Sequence, residues 1–330
     1  MSNNTNTLFW IITGAVIVLL IFGLTKSNIN TVTSANDEIG SLFSKVNADP
    51  NLLKYYGHEK NYNTLTITDE SLFEFDATTG TIKRYYGSDT NIVIPYSING
   101  VEVKKIGNLD LWNRHLYYEE CESLLYFVPE NEEDEMFYEM QKQMLEYEGI
   151  WKGDSCQISV LLDSVVIPNT VEELGDCSFC YNQNITNVNL PKSLKRIGAQ
   201  AFYENNLESI KLDHLNKLTE IGESAFGNNQ ITGNLIIPDN VTDMSSNVFR
   251  NNNLSSVVLS KNLKTLHSGN FYGSFNLESV TFRNSEMEVP VSKYIFDGFS
   301  NLTIYVPRGS LERYSNISSL SGQNLVEFDL

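Results

Sequence analysis

The chain has 330 residues, roughly two domains' worth, and its 41% hydrophobic content is enough to bury a full core. Forty-one acidic against 23 basic side chains give a net charge of −18. Such a balance argues against nucleic acid, whose phosphates need stripes of Lys and Arg, and would repel an anionic membrane surface.

The predicted elements begin with an uncharged run, LFWIITGAVIVLLIFGL, at residues 8–24. Seventeen helical residues span about 25 Å, close to a thin hydrocarbon core. A cleaved signal peptide is the rival reading, but residues 1–7 carry no basic side chain, and the small-residue site TSA ends eleven residues past Leu24. A pilin-type leader would need a basic leader and an early acid, and neither is present. Residues 1–26 therefore read as a transmembrane anchor. Residues 27–63 are polar and Asn-rich. They read as a stalk or linker containing one short amphipathic helix at 35–46.

Residues 64–107 read as an N-terminal cap and first repeat, and 160–315 as a run of repeats. The Phe of an Ala-Phe-like pair falls at Phe179, Phe202, Phe226, Phe249, Phe271 and Phe296, at intervals of 23, 24, 23, 22 and 25. A second marker, the last apolar residue of an L-x-x-[IV]-x-[LI] block, falls at Ile167, Leu190, Leu212, Ile237, Leu259, Phe282 and Val306 and keeps the same period. The alternating blocks ITNVNL, LESIKL, LSSVVL and LESVTF predict short strands with one buried face. A second apolar pair follows in each unit, such as Leu194/Ile197 and Leu218/Ile221. Gly175, Gly198 and Gly222 are expected to supply a tight bend. Asn184, Asn206, Asn253, Asn276 and Asn301 are expected to form a ladder that satisfies backbone groups. One coil of this kind cannot bury its own apolar face and a stack can, so the prediction is a repeat solenoid with a parallel β-sheet on one face and a Phe spine.

Residues 108–159 break the period and read as an acidic helical insertion. Between 117 and 150 eleven acids face one base, Lys142. Met136, Phe137, Met140, Met144 and Leu145 lie on one helical stripe. That stripe either packs on the solenoid or offers an adaptable surface to a partner. The segment ENEEDE lacks the ligand spacing of a calcium loop. Residues 316–330 read as a C-terminal tail or cap.

The stretches VVIPNTVEELGDCSF, VNLPKSLKRIGAQAF and LTEIGESAF resemble the BspA-type leucine-rich repeat, whose unit is similar to I-x-I-P-x-x-V-x-x-I-G-x-x-A-F. Residues 75–107 resemble its opening coil, and LTIYVPRGSLERY at 302–314 its closing strand. Ser245 and Ser246 replace the Gly step, Asp213 replaces the Pro, and the sixth unit is irregular. The resemblance implies a surface or secreted protein of bacteria or some protozoa, linked to adhesion, with no enzyme activity. It also implies that the repeats lie outside the membrane, although Lys26 alone votes weakly for the opposite orientation.

Chemistry is sparse. Cys177 and Cys180 form C-x-x-C but occupy repeat slots filled elsewhere by Gln200, Ser224, Tyr203 and Gly227. They read as packing residues, with a thiol oxidoreductase as the contrasting class. No second C-x-x-C completes a zinc site. Cys121 and Cys156 flank the acidic helix and could close it with a disulfide. His58, His115, His214 and His267 are scattered, and no nucleophile–base pair, P-loop or cofactor fingerprint is present. Catalytic, cofactor-binding and metal residues are therefore expected to be absent. Strand alternation points Ser164, Val166, Asn187, Asn189, Ser209, Lys211, Asn234, Ile236, Ser256, Val258, Ser279, Thr281, Thr303 and Tyr305 away from the core. They form a small, nearly neutral face suited to a protein or other extended macromolecule. The expectation is a membrane-anchored surface repeat protein that binds such a partner. The alternative is a structural part of a pilus-like, conjugation or secretion assembly.

Overall fold

A computed structural model describes residues 50–59, 64–107, 161–289, 295–296, 298–299 and 301–329, with positions 136, 138–140, 142–143, 151–152 and 155–156. The anchor at 8–24 and the short helix at 35–46 lie outside the described residues. So does the side-chain pairing of Cys121 with Cys156. Among the described residues no helix is long and apolar enough to cross a membrane. The chain divides into two compact units, Met1–Leu53 and Lys54–Leu330. Of the first, only residues 50–53 are described; they open helix α1 (Pro50–Tyr56), with Pro at the first helical position, where its missing N–H costs nothing.

The second unit is a β-solenoid with two parallel sheets, one more than the repeat pattern predicts. The expected alternating blocks supply β3 (Asn91–Val93) and β9 (Ser164–Val166), which pair with each other. They also supply a five-stranded sheet of β13 (Thr232–Ile236), β15 (Asn253–Val258), β16 (Ser279–Thr281), β17 (Thr303–Pro307) and β18 (Asn324–Phe328). The second apolar pair of each coil builds the other sheet. Its strands are β1 (Phe73–Asp76), β2 (Thr81–Tyr85), β6 (Lys105–Ile106), β10 (Glu173–Leu174), β11 (Arg196–Ile197), β12 (Glu220–Ile221) and β14 (Asp243–Met244). All its pairings are parallel except β1 with β2, and two short antiparallel pairs, β4 (Ser97–Ile98) with β5 (Val101–Glu102) and β7 (Trp151–Lys152) with β8 (Ser155–Cys156), complete the described strands.

Two blocks predicted as strands, at 185–190 and 207–212, do not form regular ladders. They run extended with separate bonds, Asn206 N to Ile185 O at 3.2 Å and Glu208 N to Thr186 O at 2.9 Å. The acidic insertion leaves the stack continuous, because β6 pairs directly with β10 across it, Lys105 opposite Glu173 and Ile106 opposite Leu174. In the insertion Met136 and Met140 are 69% and 61% exposed, so these two members of the apolar stripe do not pack on the solenoid.

All six marker phenylalanines are buried. Phe179, Phe202, Phe226 and Phe249 stack face to face, with centroids 5.4, 5.6 and 5.3 Å apart. Phe296 instead tilts against Phe282 and meets Phe299 edge-on. The asparagine ladder sits elsewhere than expected. Three residues after each of the first four Phe stand Asn182, Asn205, Asn229 and Asn252, all buried. Asn229 shows the pattern: Nδ2 donates to Phe202 O and Phe226 O, and Oδ1 accepts from Leu207 N. Asn252 repeats it on Phe226, Phe249 and Ile231. The amide must follow the inward Phe by less than one turn to reach that carbonyl, so Asn184, Asn206, Asn253 and Asn276 fall outside, on the surface.

The recurring Gly step also differs from expectation. Gly198 and Gly222 lie where neighbouring coils touch: a Cβ would come within 2.5 Å of Gly175 C and 2.4 Å of Ala199 N, respectively. The left-handed bend comes two residues later, at Cys177, Gln200, Ser224 and Asn247, with φ from 53° to 61°.

Candidate binding face

Along the five-stranded sheet the inward row is wholly apolar, Leu235, Val257, Val280 and Ile304, each at most 2% exposed. Period-2 alternation therefore directs the intervening side chains to solvent. Register turns them into two parallel rows. Asn234, Ser256, Ser279, Thr303 and Asn324 stand opposite one another in sequence, as do Ile236, Val258, Thr281, Tyr305 and Val326. The first row is polar and partly self-bonded: Ser256 Oγ donates to Asn234 Oδ1 at 2.8 Å, and Asn324 Nδ2 to Thr303 Oγ1 at 3.2 Å. The second is largely apolar, and Ile236, Tyr305 and Val326 are exposed. Neither row carries a charge. Asn324 and Val326 come from β18, in a segment the sequence showed only as a tail or cap; NLVEF sets Leu325 beside Val326 and does not alternate, so periodicity offered no signal for this strand.

The N-terminal part of the predicted face is less free. Ser164 Oγ donates to Asn91 Oδ1 at 2.6 Å. Asn189 Nδ2 donates to Glu59 Oε2 at 2.8 Å, because residues 54–59 pack onto the first coils and are not a free end of the stalk. Tyr56 is fully buried and donates to Ile94 O at 2.7 Å, Tyr55 stacks on Tyr96 at 4.2 Å, and Asn169 N donates to Tyr55 O at 2.7 Å. His58, within this arm, has its side chain 8% exposed; Nε2 lies 3.7 Å from Glu59 Oε1, and neither ring nitrogen makes a hydrogen bond among the described residues. Burial lowers its pKa to about 4. Val166, Asn187, Ser209 and Lys211 remain at the surface, the last three on the two blocks without regular ladders.

The seven-stranded sheet presents a different outer row. Lys105, Glu173, Arg196, Glu220 and Asp243 follow one another in register. Lys105 Nζ lies 2.8 Å from Glu173 Oε1, and Arg196 bonds Glu173 and Glu220 at 2.9 Å each. Lys105, Glu173, Arg196 and Glu220 are thus paired among themselves, which leaves this face less to offer a partner.

Cys177 and Cys180 are joined by a disulfide, where the sequence suggested packing residues alone. They do fill the repeat slots as well: Cys177 is 7% exposed and Cys180 fully buried. No group of three or more His, Cys, Asp or Glu able to hold a metal occurs among the described residues. His214 Nε2 lies 3.0 Å from Leu190 O, a structural contact.

The description "BspA type Leucine rich repeat region" matches this chain in six copies, over residues 153–278 and 219–328. Together these run from 153 to 328, more than half of the 330 residues. No curated protein is similar to it. Among solved structures, a leucine-rich repeat protein of T. pallidum is similar at 20% identity and a TM-score of 0.46, over 65% of this chain and 81% of its own. A leucine rich cell surface protein from Faecalibacterium prausnitzii A2-165 is similar at 18% identity and a TM-score of 0.42, over 74% and 70% respectively.

Proposed function

The chain belongs to the BspA-type leucine-rich repeat proteins, and from that premise we propose that it is a non-catalytic surface protein that binds an extended segment of another protein on its five-stranded sheet. The observation that carries this reading is the pair of uncharged rows, one polar and one apolar, running side by side across five strands. An extended partner chain alternates its side chains too, and can set apolar groups on Tyr305 and Ile236 while its amides meet Thr303 and Asn234. Exposed aromatic and aliphatic anchors beside a polar rim are the usual makings of a protein contact. Of the fourteen predicted face residues, the eight from Asn234 to Tyr305 lie on this sheet and are joined there by Asn324 and Val326; the six from Ser164 to Lys211 lie outside it, with Asn189 engaged by Glu59.

Attachment through residues 8–24, an outward-facing repeat domain and an adhesive role complete the proposal. The Cys177–Cys180 disulfide supports an oxidising location. The burial of both sulfurs speaks against thiol exchange, which needs an accessible sulfur.

The test pairs two variants of the full chain. Val258→Lys with Tyr305→Asp places charges on the neutral face, and Glu173→Gln alters only the paired face. Partners cross-linked to the wild-type protein on intact cells should be lost with the first variant and kept with the second. Equal recovery from both would remove the sheet face as the contact. Protease shaving of intact cells tests orientation, since outward repeats are degraded and inward ones are spared.

A further inference from the structure

We propose a second binding site, away from the sheet face, for a neutral glycan, in the cleft where the asparagine ladder is broken. The cleft has a volume of about 390 Å³ and is lined by Gln183, Glu204, Asn205, Asn206, Asn228 and Gln230. Gln183, Asn206 and Gln230 occupy equivalent positions in three successive coils, one residue beyond the buried Asn182, Asn205 and Asn229. Coils stack about 4.8 Å apart, so the three amides form a short column. All three are exposed, and none of their side chains makes a hydrogen bond among the described residues. The next member of the column, Asn253, is taken: it accepts from Asn276 Nδ2 at 2.5 Å.

A second observation marks the same place. Asn182, Asn229 and Asn252 each accept a backbone N–H through Oδ1. Asn205 is 5% exposed and its Oδ1 accepts nothing. The N–H that would match is that of Ile185, which turns instead to Asn182 O at 2.9 Å. The missing rung coincides with the two blocks that lack regular strands, where only Asn206 N to Ile185 O and Glu208 N to Thr186 O join the coils in place of a ladder. The floor is held firmly all the same. Asn228 Nδ2 donates to Tyr203 Oη at 2.9 Å and Glu204 Oε1 at 3.1 Å, while its Oδ1 accepts from Asn251 at 2.7 Å.

The lining decides the ligand class. It contains no Lys or Arg, so phosphate, sulfate and uronate groups find no counter-charge. One carboxylate, Glu204, is too few for a calcium site. No apolar residue lines the cleft, so it offers no pocket for peptide side chains or lipid. What remains is a column of free amides, each with donors and an acceptor on one group, beside a carboxylate acceptor. Vicinal sugar hydroxyls, each both donor and acceptor, match that set, and an extended oligosaccharide can follow the column from coil to coil.

The full-length protein is titrated calorimetrically with cellohexaose, maltohexaose and chitohexaose as neutral probes and a heparin-derived hexasaccharide as the anionic one. Binding of at least one neutral probe is expected. It should weaken about tenfold or more in Asn206→Ala with Gln230→Ala, as two hydrogen bonds are lost. The melting temperature should be unchanged, because neither side chain is bonded in the fold. Val258→Lys with Tyr305→Asp should leave sugar binding intact, which separates this site from the sheet face. No neutral probe bound, equal affinity in the amide variant, or preference for the heparin fragment would each overturn the proposal.

Discussion

At the scale of single residues, the amide three positions after each Phe does more for the fold than its exposed neighbour. Asn229 satisfies Phe202 O, Phe226 O and Leu207 N at once. Asn229→Ala leaves Phe202 O and Leu207 N buried and unpaired, while Phe226 O keeps its bond from Asn252, and we expect a loss of about 3 kcal/mol in urea unfolding. Asn206→Ala removes no bond and should stay within about 0.5 kcal/mol. His58 sets a pH dependence. Its folded pKa of about 4 lies below the ordinary value of 6.5 because burial disfavours the imidazolium. The unfolded chain therefore binds more protons on acidification, and the contribution is complete above about pH 6.5 and lost as pH falls towards 4. The neighbouring Glu59 carboxyl, raised by its own burial, works in the opposite sense. The difference between wild type and His58→Gln isolates the histidine. Melting of the wild type should fall by several degrees more than that of the variant between pH 7 and 4.5, and parallel curves would refute the assignment.

At the scale of elements, the ring column and the paired strands share the work of holding coils together. Phe226 is fully buried and stacks on both neighbours at 5.6 and 5.3 Å, so Phe226→Ala should cost about 4 kcal/mol. Phe275, 64% exposed, should tolerate the same change within about 0.5 kcal/mol, measured by the same urea midpoints. Because β6 pairs with β10 directly, the insertion is a side excursion from an unbroken ladder. Replacing residues 110–158 by a Gly/Ser linker should preserve a single cooperative transition and the far-UV spectrum. Loss of cooperative unfolding would mean the insertion is structural.

At the scale of the whole molecule, the two sheets divide labour. One pairs its outer charges along a row from Lys105 to Glu220, and the other leaves uncharged rows open. Repeat proteins transmit stability only between neighbours. A weakening near Cys177 should therefore loosen the N-terminal coils first. The Cys177–Cys180 link closes a very short loop, and Cys177→Ser with Cys180→Ser should cost about 2 kcal/mol on the chain-entropy account. Hydrogen exchange should rise around 161–205 and stay unchanged beyond 250; uniform acceleration would count against nearest-neighbour coupling.

The period of Phe179 to Phe296 and the alternation from Ser164 to Tyr305 determined the solenoid and the orientation of its outward side chains. Both are properties of a single coil repeated, so they are written in local sequence. The second sheet was not legible, since its two-residue strands, such as Arg196–Ile197, are too short for any periodicity. The ladder was misplaced among Asn-rich turns for a related reason: only packing distinguishes a buried Asn205 from an exposed Asn206. The cover of Asn189 by Glu59, the joining of β6 to β10 and the entry of β18 into the sheet link residues far apart in the chain. Such contacts depend on how coils stack in space, and tertiary structure alone decided them.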